Sequence, residues 1–175
     1  MRPFVAEELP LVRTWFEHIE VRRRLGGPEW PARALELLRE TSDGDEFRGA
    51  RVLRGHHWLA WLGAEPVGYL GGDVYDRWCE WDGSDPDHPR VGRAESGPAM
   101  SAAYVVAPEH WRRGHGTALL RAWLTAAETT DVRVFELGVE ADNQASLRCA
   151  AKAGFEAASA EPDWEGTLHL LVRRG

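Results

Sequence analysis

The sequence predicts an α/β domain built on one mixed, strongly twisted sheet flanked by helices. Three observations carry that expectation. Apolar residues recur at helical spacing in some stretches and at strand spacing in others, alternating along the chain. Residues 104–120 read as a strand, a short polar turn, two glycines one residue apart, and a helix that opens at once. A second strand-to-helix passage covers 132–153 and closes on Gly154-Phe155. At 175 residues one domain over 1–175 is expected, large enough for a core of its own.

Taken in order, residues 6–24 place Leu9, Val12, Trp15, Phe16 and Ile19 on a helical face, and Gly26-Gly27-Pro28 stops them. A second helix fits 31–40, opening at Pro31. Thr41-Ser42-Asp43-Gly44-Asp45 marks a loop. Strands fit 57–62 and 66–75, hinged at Gly63-Ala64-Glu65. Residues 76–98 read as irregular, with an Asp/Gly/Pro-rich centre. Strand 99–107 feeds the glycine turn and a helix to about 128, on which Leu119 stacks with Trp123 and Leu120 with Leu124. Strand 132–140 precedes a helix capped by Asn143. A hairpin of 155–160 and 167–173 around 162–166 ends the chain.

Composition narrows the function. A formal charge of −7 argues against a nucleic-acid surface. Cys79 and Cys149 show no redox or metal spacing, which fits a reduced, cytoplasmic setting. No stretch approaches the ~20 apolar residues that span a bilayer, and the N-terminus lacks a signal-like apolar run. His56, His57, His110 and His115 have no third ligand at a metal-like spacing, so no metal is expected.

The glycine turn is the strongest chemical signal. A strand-turn-helix of this kind aims several backbone N–H groups at one spot, beside the positive end of the helix dipole. Gly114 and Gly116 let a bulky anion approach, and Arg112 and Arg113 add charge, with His115 and Thr117 beside them. A pyrophosphate is the natural guest, at about 1.5–3 kcal/mol per charge-assisted bond. The spacing is neither that of the lysine-bearing phosphate loop nor Gly-x-Gly-x-x-Gly, since Leu119 stands where the third glycine belongs.

A second block, Leu137-Gly138-Val139, Asp142-Asn143, Ala145-Ser146-Leu147-Arg148 and Lys152-Ala153-Gly154-Phe155, lies one strand downstream. With both blocks in order, the chain resembles the GNAT family of acyl-CoA-dependent N-acetyltransferases. The resemblance implies acetyl-CoA as co-substrate and direct transfer to an amine. It also implies that the strands at 99–107 and 132–140 splay to admit the pantetheine arm. The backbone of Tyr104, Val105 and Val106 would bond that arm. Asn143 is either a helix cap alone or also a cofactor contact, and Lys152 either reaches the adenosine phosphate or is simply solvated. One departure sits in the first block, where Trp111 replaces the usual Arg or Gln.

Catalysis by this resemblance needs a base, because a primary amine is neutral at pH 7 only about once in 2,500 molecules, equivalent to about 4.6 kcal/mol. A strand N–H near Val105 is expected to face the developing oxyanion. The family's helix tyrosine falls at Cys149 or Ala150, and its strand glutamate at Gly138, so neither carries over. Tyr104 remains as a possible acid. Ser101, Glu136, Glu140, Asp73 and Asp76 remain as base or water-holder. These losses also leave open a catalytically degenerate acyl-CoA-binding sensor or partner-binding module.

The acceptor is less constrained. Asp73, Asp76, Glu80, Asp82, Asp85, Asp87 and Glu95 interleave with Trp78 and Trp81, which suits a small cationic amine through ion pairing and cation–π contact. The alternative is a solvated acidic loop whose indoles cover a sheet edge. Several stretches look like aminoglycoside 6′-N-acetyltransferases and ribosomal-protein acetyltransferases, among them Glu65-Pro66-Val67-Gly68-Tyr69. The aspartate usual in the former, on the strand before the turn, is absent from Ala99-Met100-Ser101-Ala102-Ala103. A small-molecule or peptide amine, with the chain as monomer or homodimer, is the expectation.

Overall fold

The computed structural model describes residues 1–40, 44–47, 49–82 and 90–175. The chain begins with β1 (Arg2–Pro3), α1 (Leu9–Arg13), α2 (Ile19–Leu25) and α3 (Trp30–Glu40). Strands β2 (Glu46–Phe47), β3 (Ala50–Leu62), β4 (Glu65–Asp82) and β5 (Arg90–Val106) follow. Then come α4 (His115–Leu124), β6 (Val134–Glu140), α5 (Gln144–Ala153), β7 (Glu156–Ala157) and β8 (Thr167–Arg173). Among the described residues they build one eight-stranded sheet of order β1-β3-β4-β5-β6-β8-β7, with β2 on β3. Its pairs are antiparallel except β5 with β6.

Each face of the sheet has its own core. Leu119, Leu120 and Trp123 of α4 pack with Met100, Phe135, Leu137 and Val139 on one face. Val12, Phe16, Val21 and Leu35 pack with Leu59, Tyr69 and Val105 on the other. Away from bulges, successive strand residues serve opposite faces, so these lists fix where their strand neighbours point.

Several expectations change. The helix over 6–24 breaks at His18, whose backbone is extended (φ −61°, ψ 131°) and whose Nδ1 accepts the N–H of Glu20 at 3.3 Å, starting α2 anew. Helix α4 stops at Leu124, and Thr129 Oγ1 donates to the Trp123 carbonyl at 3.1 Å to close its end. Residues 76–82 and 90–98 are not irregular: Arg77 pairs with Ser96 and Asp82 with Arg90, so β4 and β5 form one long hairpin. Bulges between Tyr75 and Arg77 and between Glu80 and Trp81 break the period of two that would have revealed it. Asp85 and Asp87, and residues 41–43 of the expected loop, lie outside the described residues. The terminal hairpin forms, but β8 sits between β6 and β7 and pairs with β6 along its whole length.

Candidate active site

β5 and β6 pair over three rungs only: Ala99 opposite Val134, Met100 opposite Phe135, Ser101 opposite Glu136. Beyond them β5 runs on to Val106 and β6 to Glu140 unpaired with each other. The gap that results is a groove of about 490 Å³, walled by Val21 and Arg24 of α2 on one side and by Asn143, Ser146 and Cys149 on the other.

Strand alternation decides which amides face this gap. Ala107 donates to the Val67 carbonyl at 3.0 Å, so in steps of two Val105 and Ala103 also turn toward β4. Tyr104 and Val106 turn into the gap. The expectation that all three residues 104–106 present their backbone there is therefore corrected: Val105 gives its amide to β4 and its side chain to the core. Of the strand N–H groups near Val105, those of Tyr104 and Val106 are the ones that face the gap. Part of this supply is already used, since Trp111 Nε1 donates to the Val106 carbonyl at 2.7 Å. The Trp111 ring also meets His18 edge-on, with centroids 4.5 Å apart, tying the turn to the start of α2.

The turn itself is wound left-handed twice, at Arg112 (φ 61°) and Gly114 (φ 86°). For arginine this conformation costs about 1–2 kcal/mol. Alternating handedness turns successive N–H groups to one side, which is the geometry of an anion nest. Arg112, Gly114, His115 and Gly116 wall the groove, whereas Arg113, Thr117 and Lys152 lie off its walls. Gly116 also has a packing use: a Cβ there would sit 3.0 Å from Cys149 Sγ, so the missing side chain lets α4 and α5 close together.

Side chains from α5 complete the groove. Asn143 Oδ1 accepts the Ser146 N–H at 3.1 Å and caps the helix. Tyr104 shares a 2.7 Å hydrogen bond between its hydroxyl and Ser146 Oγ. Burial raises the Tyr104 phenol far above its ordinary range, so it stays protonated and able to donate. Across the mouth, Arg24 pairs with Glu140 and with Asp142 (2.8 Å), and Arg23 with Asp142 (2.6 Å). The hydrogen bonds from Arg24 and Arg23 hold the Asp142 carboxyl down at about 2.

On the α1–α3 face, Asp73, Ser101 and Glu136 occupy adjacent rungs of β4, β5 and β6. Burial pushes the Asp73 carboxyl up. Glu136 also walls a second cavity of about 460 Å³, with Trp78, Trp81, Trp164, Glu80, Glu161, Asp163 and His169 around it. Here the acidic-aromatic expectation is half met. Both indoles border the cavity, but Trp78 is 2% exposed and packs with Ala99, Val134 and Leu171, under the guanidinium groups of Arg93 and Arg173. Asp76 is turned away and bonded to Arg51 and Arg77, which holds its carboxyl well below the usual range. Glu80 and Glu95 are likewise met by Arg93 (3.2 Å) and Arg173 (2.6 Å).

His169, Asp163, Trp164 and Arg24 were not legible as site residues. His169 carried one signal: it is the polar member of the otherwise apolar run 168–172. Among the described residues no group of three or more His, Cys, Asp or Glu side chains is placed to hold a metal ion. No helix among them is long and apolar enough to cross a membrane.

A parallel strand pair that opens beside an anion-binding turn, with a helix on either wall, defines an acyl-CoA-dependent transferase. The groove suits acetyl-CoA on its own geometry, through the left-handed turn at Arg112 and Gly114 and the strand amides of Tyr104 and Val106. The chain belongs to the acetyltransferase (GNAT) family, whose model matches residues 15–155, and it is an acetyl-CoA-dependent N-acetyltransferase. The uncharacterised N-acetyltransferase YfmK of Bacillus subtilis is 26% identical to it over 170 residues, 95% of this chain and 90% of that protein. The aminoglycoside acetyltransferase AAC(6′)-Ib in complex with coenzyme A superimposes with a TM-score of 0.67 over 99% of this chain and 93% of that one, at 19% identity. An aminoglycoside N(6′)-acetyltransferase from Legionella pneumophila gives 0.64 over 98% and 90%, at 15% identity. At such identities the likeness is one of fold.

Proposed function

We propose that the acceptor is a small cationic primary amine, entering from the cavity beside Glu136 to meet an acetyl group held in the gap between β5 and β6. The observation that carries this reading is the last rung of the parallel pair, Ser101 opposite Glu136. On one side of it lies the groove with its turn; on the other, the second cavity, walled by Glu80, Glu136, Glu161 and Asp163.

Acetyl-CoA supplies the activated acetyl group as its thioester. The N–H groups of the turn hold the phosphates with Arg112, Gly114, His115 and Gly116, while Arg113, Thr117 and Lys152 act from outside the walls. The amides of Tyr104 and Val106, with Asn143, hold the pantetheine arm. Glu136 removes the ammonium proton directly or through a water kept by Ser101, and Asp73 adds negative charge to the same face. Tyr104, whose hydroxyl meets Ser146 Oγ on the α5 side, protonates the departing thiolate in place of the family's helix tyrosine. We place the enzyme in the cytoplasm as one domain over 1–175.

The test is thiol release from acetyl-CoA across polyamines, aminoglycosides, amino acids and N-terminal peptides, beside calorimetric CoA binding. Release that depends on a cationic amine is the expected result. Tight CoA binding with silence toward every cationic amine overturns the acceptor assignment.

A further inference from the structure

His169 is bonded at both ring nitrogens. Nδ1 lies 2.9 Å from Glu136 Oε1, and Nε2 lies 3.0 Å from Asp163 Oδ2. The other oxygen of Asp163, Oδ1, accepts the backbone N–H groups of Glu165 and Thr167, each at 2.9 Å. One imidazole on β8 therefore joins the carboxylate beside Ser101 to the loop that carries Trp164 over the cavity.

Two carboxylates face this ring, so both bonds form only while both nitrogens carry protons. The bond to Glu136, with that to Asp163, outweighs burial and raises the imidazole to about 9. The other titratable groups facing the cavity offer no substitute cation. Burial pushes the Cys79 thiol of β4 up and keeps it neutral, Glu80 is met by Arg93, and Glu161 is a further carboxylate. For Asp163, burial works upward, but the N–H groups of Thr167, His169 and Glu165 outweigh it and keep the carboxyl low.

We propose that His169 is a positioning residue: as an imidazolium it fixes the Glu136 carboxylate beside Ser101 and, through Asp163, ties that placement to the seating of the Trp164 loop. The proposal rests on the reading of Glu136 as the base. A neutral imidazole keeps one N–H and serves one carboxylate, leaving the other opposite a lone pair. When the ring loses its proton to solvent, base and loop are no longer held together.

Asp163→Asn separates this role from plain packing. The asparagine must keep Oδ1 on the two backbone N–H groups, so its Nδ2 faces His169 Nε2. It can donate to a neutral ring, whose Nδ1–H still serves Glu136. The variant should therefore hold base and loop together after the proton has left.

The experiment uses the full chain with acetyl-CoA and spermidine from pH 6 to 10, together with NMR titration of the His169 ring and the Trp164 indole without ligand. In the wild type the Trp164 signal should move with the His169 titration. The ratio of kcat/KM for spermidine, Asp163→Asn over wild type, cancels the titration of spermidine itself and should rise severalfold, up to about tenfold, between pH 7 and 10. His169→Gln should lose at least tenfold in kcat at pH 7 with CoA binding unchanged. A flat ratio, or a Trp164 signal indifferent to His169, overturns the proposal. Silence toward spermidine in every form, with normal CoA binding, would count instead against the cationic-amine reading, and the NMR titration would then decide the coupling by itself.

Discussion

Trp111 donates its indole N–H to the carbonyl of Val106 at 2.7 Å, so the residue that departs from the family's first block bonds the strand that the block follows. It takes one acceptor at the open end of β5 and braces the anion turn against it. Trp111→Phe keeps the ring beside His18 and deletes only this bond. It should cost about 1 kcal/mol of stability in urea denaturation while leaving CoA affinity undiminished in calorimetry. A tenfold weaker CoA would mean that the indole itself holds the cofactor.

Gly116 and Cys149 set how closely α4 approaches α5. Gly116→Ala should destabilise by about 1–3 kcal/mol, because its methyl group would meet Cys149 Sγ at 3.0 Å. Adding Cys149→Ala should restore most of that loss in thermal unfolding. Equal melting temperatures for the single and double variants would refute the packing account.

Arg112 and Arg113 are both exposed, so reversing their charge should barely touch the fold. Arg112→Glu with Arg113→Glu should weaken CoA at least tenfold by calorimetry and flatten its dependence on salt. An unchanged dissociation constant would remove the turn from the cofactor site.

Two histidines give stability opposite slopes on either side of neutral pH. Burial first, and then nearby His56, hold the His57 imidazole down at about 4. Its Nδ1 shares a short hydrogen bond with the Tyr69 hydroxyl, in space that a Cβ at Gly71 would fill. The unfolded chain, with its ordinary value near 6.5, takes up this proton first. Stability from His57 is therefore complete above about pH 6.5 and falls by up to about 3 kcal/mol as pH drops to about 4.

His169 works the other way, its folded value lying above the unfolded one. Its contribution is complete below about pH 6.5 and is lost as pH rises through about 9. With the side chain 40% exposed, solvent reduces that contribution to about 1–2 kcal/mol. Urea denaturation from pH 4 to 10 should show both slopes, with His57→Gln flattening the acid side and His169→Gln the alkaline side.

What the sequence revealed of this site, and what it hid, follows the range of the forces involved. The strand-turn-helix at 104–120 and the Asn143 cap were legible because positive φ and capping are set by residues a few positions apart. The long hairpin was not, since its bulges disturb the alternation that marks a strand. The direction of the Val105 amide depends on the phase of the ladder with β4, and a single strand does not carry that phase. Trp78 reads as an exposed indole until Leu171 and Val134 are folded against it. His169 meets Glu136 across 33 positions of sequence, and no local pattern anticipates such a bond.

The row of Asp73, Ser101 and Glu136 makes the sheet a ruler. Neighbouring strands stand about 4.8 Å apart, so the two outer residues are spaced by roughly 10 Å at the backbone whatever side chains they carry. No loop can lengthen that interval and no hinge can shorten it. On the proposed placement of the acceptor at this face, a change of its size must be written in side-chain length, one methylene at a time, against marks that the backbone does not move.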